Sequence, residues 1–200
     1  MPQHTIELIS PSDRLRLVPP QAGDDEAVAF LRCHPETLRY LRFLPTHFTP
    51  EEARIRRKSR ASNSTIIDFH IHIKNEDGLF SFEGNTGLFN IDKTNKSCEI
   101  GILLSPHLHR KGYATEALYL VLKHAFDDRR MHRATFETGA DNLPMCSWLE
   151  KVLGATLEAK RRECWSDMKG GYTDVHSYSI LEWEWSGGVR EKLEKLMLRS

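Results

Sequence analysis

Residues 98–126, CEIGILLSPHLHRKGYATEALYLVLKHAF, change their hydrophobic period in mid-stretch. In the first half Cys98, Ile100, Ile102 and Leu104 fall on one side of an extended chain and Glu99, Gly101 and Leu103 on the other, the two-residue repeat of a strand. Pro106 stops that strand. From Gly112 onward Ala114, Ala117, Leu118, Val121, Leu122, Ala125 and Phe126 recur at steps of three and one, the buried stripe of an amphipathic helix. The first amides of such a helix have no intrahelical acceptors. Gly112 lets the backbone approach an anion closely, the peptide dipoles favour negative charge there, Arg110 and Lys111 add positive charge, and Thr115 adds a hydroxyl. These residues describe a phosphate-binding helix start. K-G-x-A also marks ordinary helix starts, so its context carries the reading. The common nucleotide loops, G-x-x-x-x-G-K-[ST] and G-x-G-x-x-G after a strand, are absent.

Working outward, Arg14 to Val18 alternates as a half-buried strand, and Val28, Phe30, Leu31, Leu38 and Leu41 between Gly23 and Leu44 have helical spacing. Thr49, Pro50, Glu51 and Glu52 form a helix start leading into an Arg-rich helix that ends near Ala61. Alternation from Thr65 to Lys74, a turn at Asn75 to Gly78, and a second run through Phe80 and Leu88 predict a hairpin. Beyond the central helix come a strand (Ala134 to Thr138), a helix (Asn142 to Val152), and two strands (Thr156 to Trp165 and Asp174 to Glu184). The order predicts one mixed α/β (α+β) domain over 1–200, with a core at about 12–185. In the tail, 187–200, Val189, Leu193, Leu196 and Met197 share one side of a short helix that caps the domain or joins two subunits.

Lys plus Arg and Asp plus Glu are both 28, so the chain has no pervasive basic field for a nucleic-acid backbone. Cys33, Cys98, Cys146 and Cys164 lie far apart without a C-x-x-C pair, which predicts reduced thiols in the cytoplasm. No eighteen-residue apolar run and no leader pattern occur, so no membrane partner is expected. His70 and His72 share a strand face, but spacing assigns no third ligand, and no metal is expected.

Residues 86–118, TGLFNIDKTNKSCEIGILLSPHLHRKGYATEAL, closely resemble the strand, strand, loop and helix of GNAT acetyltransferases. DRLRL near the N-terminus and GYATEA at the helix are similar to the branch that contains the ribosomal-protein N-terminal acetyltransferases. DNLPMCSWLEKVLG, 141–154, resembles the family's Asn-started helix ending at glycine, and GGYTDVHSYSILEWEW its closing hairpin. The resemblance implies a mostly antiparallel sheet flanked by helices. Its strands are expected to splay between Glu99 to Leu104 and Ala134 to Thr138, where acetyl-CoA enters. It further implies that the pantetheine arm meets Ile102, Leu103 and Leu104, that the pyrophosphate sits on His109, Arg110, Lys111, Gly112, Tyr113, Ala114 and Thr115, and that Asn142 contacts the pantetheine. His109 stands where Gln or Arg is usual, Met145 replaces a small polar residue, and one extra residue precedes Gly154.

The implied chemistry is acetyl transfer to a primary amine, a protein N-terminus or a small molecule, by direct attack in a ternary complex, in a monomer or homodimer. An amine attacks only when neutral, so a base is expected, and Glu99 falls where some members carry theirs. Glu163 is a second candidate. Ser147, or alternatively Tyr178, would give a proton to the departing thiolate. A backbone amide of the Ile102 to Leu104 strand would meet the developing oxyanion. Cys146 is read as a packed helix cysteine. Arg54, Arg56, Arg57, Lys58 and Arg60 form a basic cluster on the helix that, by the resemblance, lies near the acceptor; it either recruits an acidic substrate or is a solvated face, and the second reading is preferred. The alternative is a non-catalytic acyl-CoA-binding module of the same fold.

Overall fold

Period-two segments assemble into one eight-stranded sheet in the computed structural model, which describes residues 4–168 and 170–198. The outermost predicted positions, 1–3 and 199–200, lie outside the described residues. The strands are β1 Leu8–Ile9, β2 Leu15–Val18, β3 Ile67–Lys74, β4 Phe80–Asp92, β5 Ser97–Leu104, β6 Arg133–Gly139, β7 Thr156–Ser166 and β8 Tyr172–Leu181, in the order β1-β2-β3-β4-β5-β6-β8-β7. Every neighbouring pair is antiparallel except β5 and β6. That parallel pair is in register only at Ser97↔Arg133, Cys98↔Ala134 and Glu99↔Thr135. Past Glu99 the two strands part, β5 staying with β4 and β6 with β8.

Each face of the sheet carries its own helices. On one, α4 (Tyr113–Lys123), extended by a wider turn through Asp128, buries Leu118, Val121, Leu122 and Phe126 against Phe69, Ile71, Ile100 and Phe136. Full burial of a leucine contributes roughly 1.5–3 kcal/mol, so this stripe holds the helix to the sheet. The tail helix α7 (Arg190–Met197) lies against α4: Leu193 is buried and Tyr119 donates to Glu194 Oε1 at 2.6 Å. On the opposite face α1 (Asp25–Cys33), α2 (Pro35–Tyr40) and α3 (Pro50–Ala61) enclose a smaller core of Val28, Ala29 and Ala53 with Phe48 and Phe82. The start of α3 has a full capping box, with Thr49 Oγ1 accepting from the Glu52 amide and Glu52 accepting from the Thr49 amide.

Two expectations need correction. The predicted strand from Asp174 to Glu184 ends at Leu181, and Glu182–Glu184 form the short helix α6. The reason is pairing: β6 starts at Arg133 opposite Leu181, the Glu182 amide makes a last bond to His132 O at 2.9 Å, and the Leu181 amide donates to Glu184 Oε2 at 2.8 Å, which turns the chain into the helix. Phe30, read with the apolar face of the first helix, is 72% exposed because the core beneath α1 is filled by Val28 and Ala29.

Candidate active site

A single cleft of about 930 Å³ runs from the start of α4, through the gap between β5 and β6, to the helices on the other face. Its wall brings together Glu99, Ile102, Leu103, Leu104, His109, Arg110, Gly112, Ala114, Thr115 and Asn142, residues the sequence selects from three separate elements.

The α4 end of the cleft is built for an anion. Gly112 is the N-cap in a left-handed conformation, φ 84°, and Arg110 also has positive φ, 62°. The first backbone bond runs from the Glu116 amide to Gly112 O, so the amides of Gly112, Tyr113, Ala114 and Thr115 have no acceptor among the described residues. Thr115 Oγ1 accepts from Trp148 Nε1 at 3.0 Å, which leaves the hydroxyl's own proton available. The His109 ring closes the end of β5, with Nε2 3.1 Å from Leu104 O. Four unpartnered amides around a left-handed glycine fit a diphosphate. Lys111 and Tyr113 do not line the cleft; the Tyr113 ring lies under Arg14, whose guanidinium carbon is 4.4 Å from the ring centre.

Arg14 also holds the loop from behind. Its Nε donates to Glu116 Oε1 at 2.6 Å, its Nη2 to Lys111 O at 3.3 Å, and Ser12 Oγ donates to Glu116 Oε2 at 2.7 Å. Glu116 is 2% exposed, so Arg14 neutralises a buried carboxylate one turn from the anion site. Nothing in the local sequence pairs these residues.

In the middle of the cleft the gap exposes the free edge of β5. Beyond Glu99, alternate residues of β5 turn their amides and carbonyls away from β4 and into the opening. Glu99 stands at the fork on the face opposite Ile100. It is half-buried and accepts from Asn90 Nδ2 at 2.9 Å. Asn90 reaches it because β4 bulges between Phe89 and Asp92, with Asn90 at φ 49°. Burial pushes the Glu99 carboxyl up and Glu137 adds to this, while the Asn90 hydrogen bond and Arg161 pull against it. Glu137 lines the same wall and is ion-paired with Arg161. A half-buried carboxylate with a raised pKa beside an open strand edge has the properties of a proton acceptor.

Other predicted residues lie elsewhere. Tyr178 is fully buried outside the cleft lining, and its hydroxyl donates to Glu150 Oε1 at 2.8 Å, so its proton is already committed. Ser147 sits on α5 (Leu143–Ser147) away from the lining, where Pro144, Met145 and Trp148 are instead. Asn142 caps α5, its side chain accepting from the Met145 amide at 3.4 Å, and faces the cleft. Cys146 is buried, and burial raises its thiol above the usual range. Glu163 is exposed at an irregularity of β7.

The histidine pair gains a third member that spacing did not assign. Asp24 Oδ2 is 2.6 Å from His70 Nδ1 and 2.9 Å from His72 Nε2. Burial opposes ionisation of Asp24, but the two imidazole hydrogen bonds override it and hold the carboxyl well below its ordinary range. The cluster ties the start of α1 to β3.

The basic cluster on α3 also resolves into individual roles. Arg54 pairs with Glu51, Arg57 binds Asp25 through two bonds of 2.8 Å, and Arg60 binds Asp68 through bonds of 2.6 and 2.7 Å. Arg56 faces the cleft, so the cluster is not simply a solvated face. Phe43 and Trp165 meet edge-on at 4.9 Å on the same lining.

Comparison with known proteins follows the same outline. A family model described as an acetyltransferase (GNAT) domain matches residues 14–154. The uncharacterised N-acetyltransferase YnaD of Bacillus subtilis (strain 168) is 33% identical over 89 residues, 44% of this chain and 51% of that protein, so the match spans about half of that relative. The uncharacterised N-acetyltransferase p20 of Bacillus licheniformis is 25% identical over 181 residues, 88% of this chain and 97% of its own. A solved structure of a candidate acetyltransferase from T. thermophilus superposes with a TM-score of 0.76 at 26% identity, covering 92% of this chain and 94% of that one.

Proposed function

The chain belongs to the GNAT acetyltransferase family, and from that premise we propose that it transfers the acetyl group of acetyl-CoA to a primary amine by direct attack within a ternary complex. One observation carries the proposal: unpartnered amides at the start of α4, the open edge of β5 and the half-buried Glu99 all face one continuous cleft. The finer placement, beside the N-terminal acetyltransferases of ribosomal proteins, is supported by DRLRL and GYATEA. A single domain and a cytoplasmic setting complete the reading; Cys33, Cys98, Cys146 and Cys164 are all free thiols, as a reducing compartment requires.

The pyrophosphate would rest on the amides of Gly112 to Thr115, with Arg110 adding charge and the Thr115 hydroxyl a further donor. Ile102, Leu103 and Leu104 would hold the pantetheine arm along the β5 edge, with Asn142 across the gap. When bound, acetyl-CoA supplies a thioester carbonyl open to attack by a neutral amine. Glu99 takes the amine proton, directly or through a water, and Asn90 holds the carboxylate in the orientation to receive it. A β5 amide facing the gap stabilises negative charge on the carbonyl oxygen without any side chain having to move. A thiol is acidic enough to leave with little help, consistent with Tyr178 and Ser147 standing off the cleft.

The test is calorimetric titration with acetyl-CoA, followed by a CoA-release screen over N-terminal peptides, amino acids and polyamines. Binding in the wild type, its loss in Gly112→Glu, and turnover of at least one amine are expected. Absence of acetyl-CoA binding would refute the proposal, and binding without turnover across the panel would replace it with a non-catalytic acyl-CoA-binding module.

A further inference from the structure

The cleft contains more positive charge than its own carboxylates balance, and the surplus lies at one place. Along the wall made by α1, α2 and α3, Asp25 is bound by Arg57, Asp68 by Arg60, and Glu36 lies 3.8 Å from Arg39. Arg32 and Arg56 line the same wall, and no hydrogen bond or ion pair to either is present among the described residues. Arg32 Nε is fully enclosed without an acceptor, and its guanidinium carbon lies 4.9 Å from the centre of the Phe48 ring, a contact that offsets only part of a desolvated charge. Thr37, 6% exposed and also on the wall, has a buried hydroxyl with no partner. Of the guanidinium groups that these three helices bring to the cleft, only those of Arg32 and Arg56 have no carboxylate among the described residues. Arg56 is exposed at the mouth of the cleft, where the surrounding walls and the like charges of Arg32 and Arg60 lower its pKa. Like charges gathered in this way are relieved by an anion.

The wall stands on the acceptor side. α4 and its phosphate-binding start cover the face of the sheet to which Ile100 and Leu104 belong, whereas α1 and α3 cover the face to which Glu99 belongs. The guanidinium of Arg60 lies 5.0 Å from the Phe89 ring, and Phe89 is the cross-strand partner of Glu99. Arg60 and Phe89 thus connect this wall to the strand that carries the proposed base.

We propose that Arg32 and Arg56 form a carboxylate-binding subsite, so that the accepted amine carries an anionic group. The proposal rests on the acetyl-transfer reading for the identity of the other end of the acceptor. A polyamine, positive along its length, would meet repulsion here, and a neutral amine would leave both guanidinium groups unmatched. Two sources offer the required chemistry: an amino acid whose carboxylate is spaced from its amine, and a peptide N-terminus followed by acidic residues.

The experiment compares kcat/KM for matched acids and amides in two arms, 4-aminobutyrate against its amide, and a Ser-Glu-Glu-Ala peptide against Ser-Gln-Gln-Ala. Hydrogen bonds to charged groups correspond to factors of roughly 10 to 100. We expect at least a tenfold preference for the acid in one arm, which names the source, falling below about threefold in Arg32→Gln/Arg56→Gln and restored in part by Arg56→Lys. Acetyl-CoA affinity should be unchanged in the double variant. Equal rates for acid and amide in both arms, or a preference for spermidine, would overturn the subsite. A parallel loss of acetyl-CoA affinity would also overturn it, by assigning these arginines to the cosubstrate. Calorimetric titration of the protein with glutarate reads the subsite without chemistry. Binding lost in the double variant would sustain it even if no amine were acetylated, and no binding to the wild type would sink it.

Discussion

Replacing Arg14 by methionine tests the support behind the phosphate-binding loop. Arg14 keeps most of its aliphatic bulk in this substitution and loses only its charge and donors. Glu116, 2% exposed, would be left with the Ser12 hydroxyl as its one hydrogen-bond donor from the pair. Breaking a buried ion pair from one side costs about 3–5 kcal/mol. The Arg14 side chain is 29% exposed, so water can enter from its side, and the lower end, about 3 kcal/mol, is the better expectation. For a chain of this size each kcal/mol lowers Tm by about 2–4 °C, giving a drop of about 6–12 °C. The assay is thermal unfolding of the wild type, Arg14→Met, Glu116→Gln and the double variant at neutral pH. Removing both charges should recover most of the loss, because the penalty belongs to the stranded carboxylate and not to missing bulk. A drop below about 3 °C in Arg14→Met, or a double variant no more stable than the single, would refute this account of the pair.

Further predictions concern the base and a helix start. Burial places the Glu99 carboxyl above the ordinary carboxylate range, and below that raised value it is protonated and unable to accept the amine proton. kcat/KM should therefore fall as pH drops through this raised inflection. Glu99→Gln should remove the inflection and cost about 10²–10⁴ in rate, with the gap narrowing at high pH where the amine arrives neutral. An unchanged profile would exclude Glu99. Thr49→Ala breaks the capping box at α3 and should cost about 1 kcal/mol, about 2–4 °C in Tm; an unaltered melting curve would contradict the role given to that cap.

The β5–loop–α4 unit was legible because each part obeys its own local period and Pro106 and Gly112 mark the junctions. The same holds for the helical run that begins with α5 after Asn142 and continues as a wider turn, Trp148–Leu153, to left-handed Gly154. The end of β8 was not legible, because Leu181, Trp183 and Trp185 alternate with Glu182 and Glu184 beyond the point where β6 begins. A strand ends where its partner does, and the partner is not in the local sequence. Long-range pairings were hidden for a related reason. Arg14 and Glu116 lie 102 residues apart and Asp24 and His72 lie 48 apart, so no spacing rule connects them. Tyr178, expected as an alternative proton donor, is committed to Glu150, a partner 28 residues away that no local pattern reveals. On α3 the sequence shows a run of arginines, and only the fold shows which of them already have a carboxylate.

The three-residue seam between β5 and β6 has a mechanical consequence. The strands before it, β1 to β5, form one antiparallel block and those after it a second, so the sheet resembles two plates joined along a short weld. The seam lacks local chain closure, since its partners are separated by the whole of α4. Protection against hydrogen exchange should accordingly be graded across the sheet, with the weld opening before either plate unfolds. Whatever fills the gap touches both plates and acts as a brace, making the rigidity of the sheet as a whole a property of the occupied cleft.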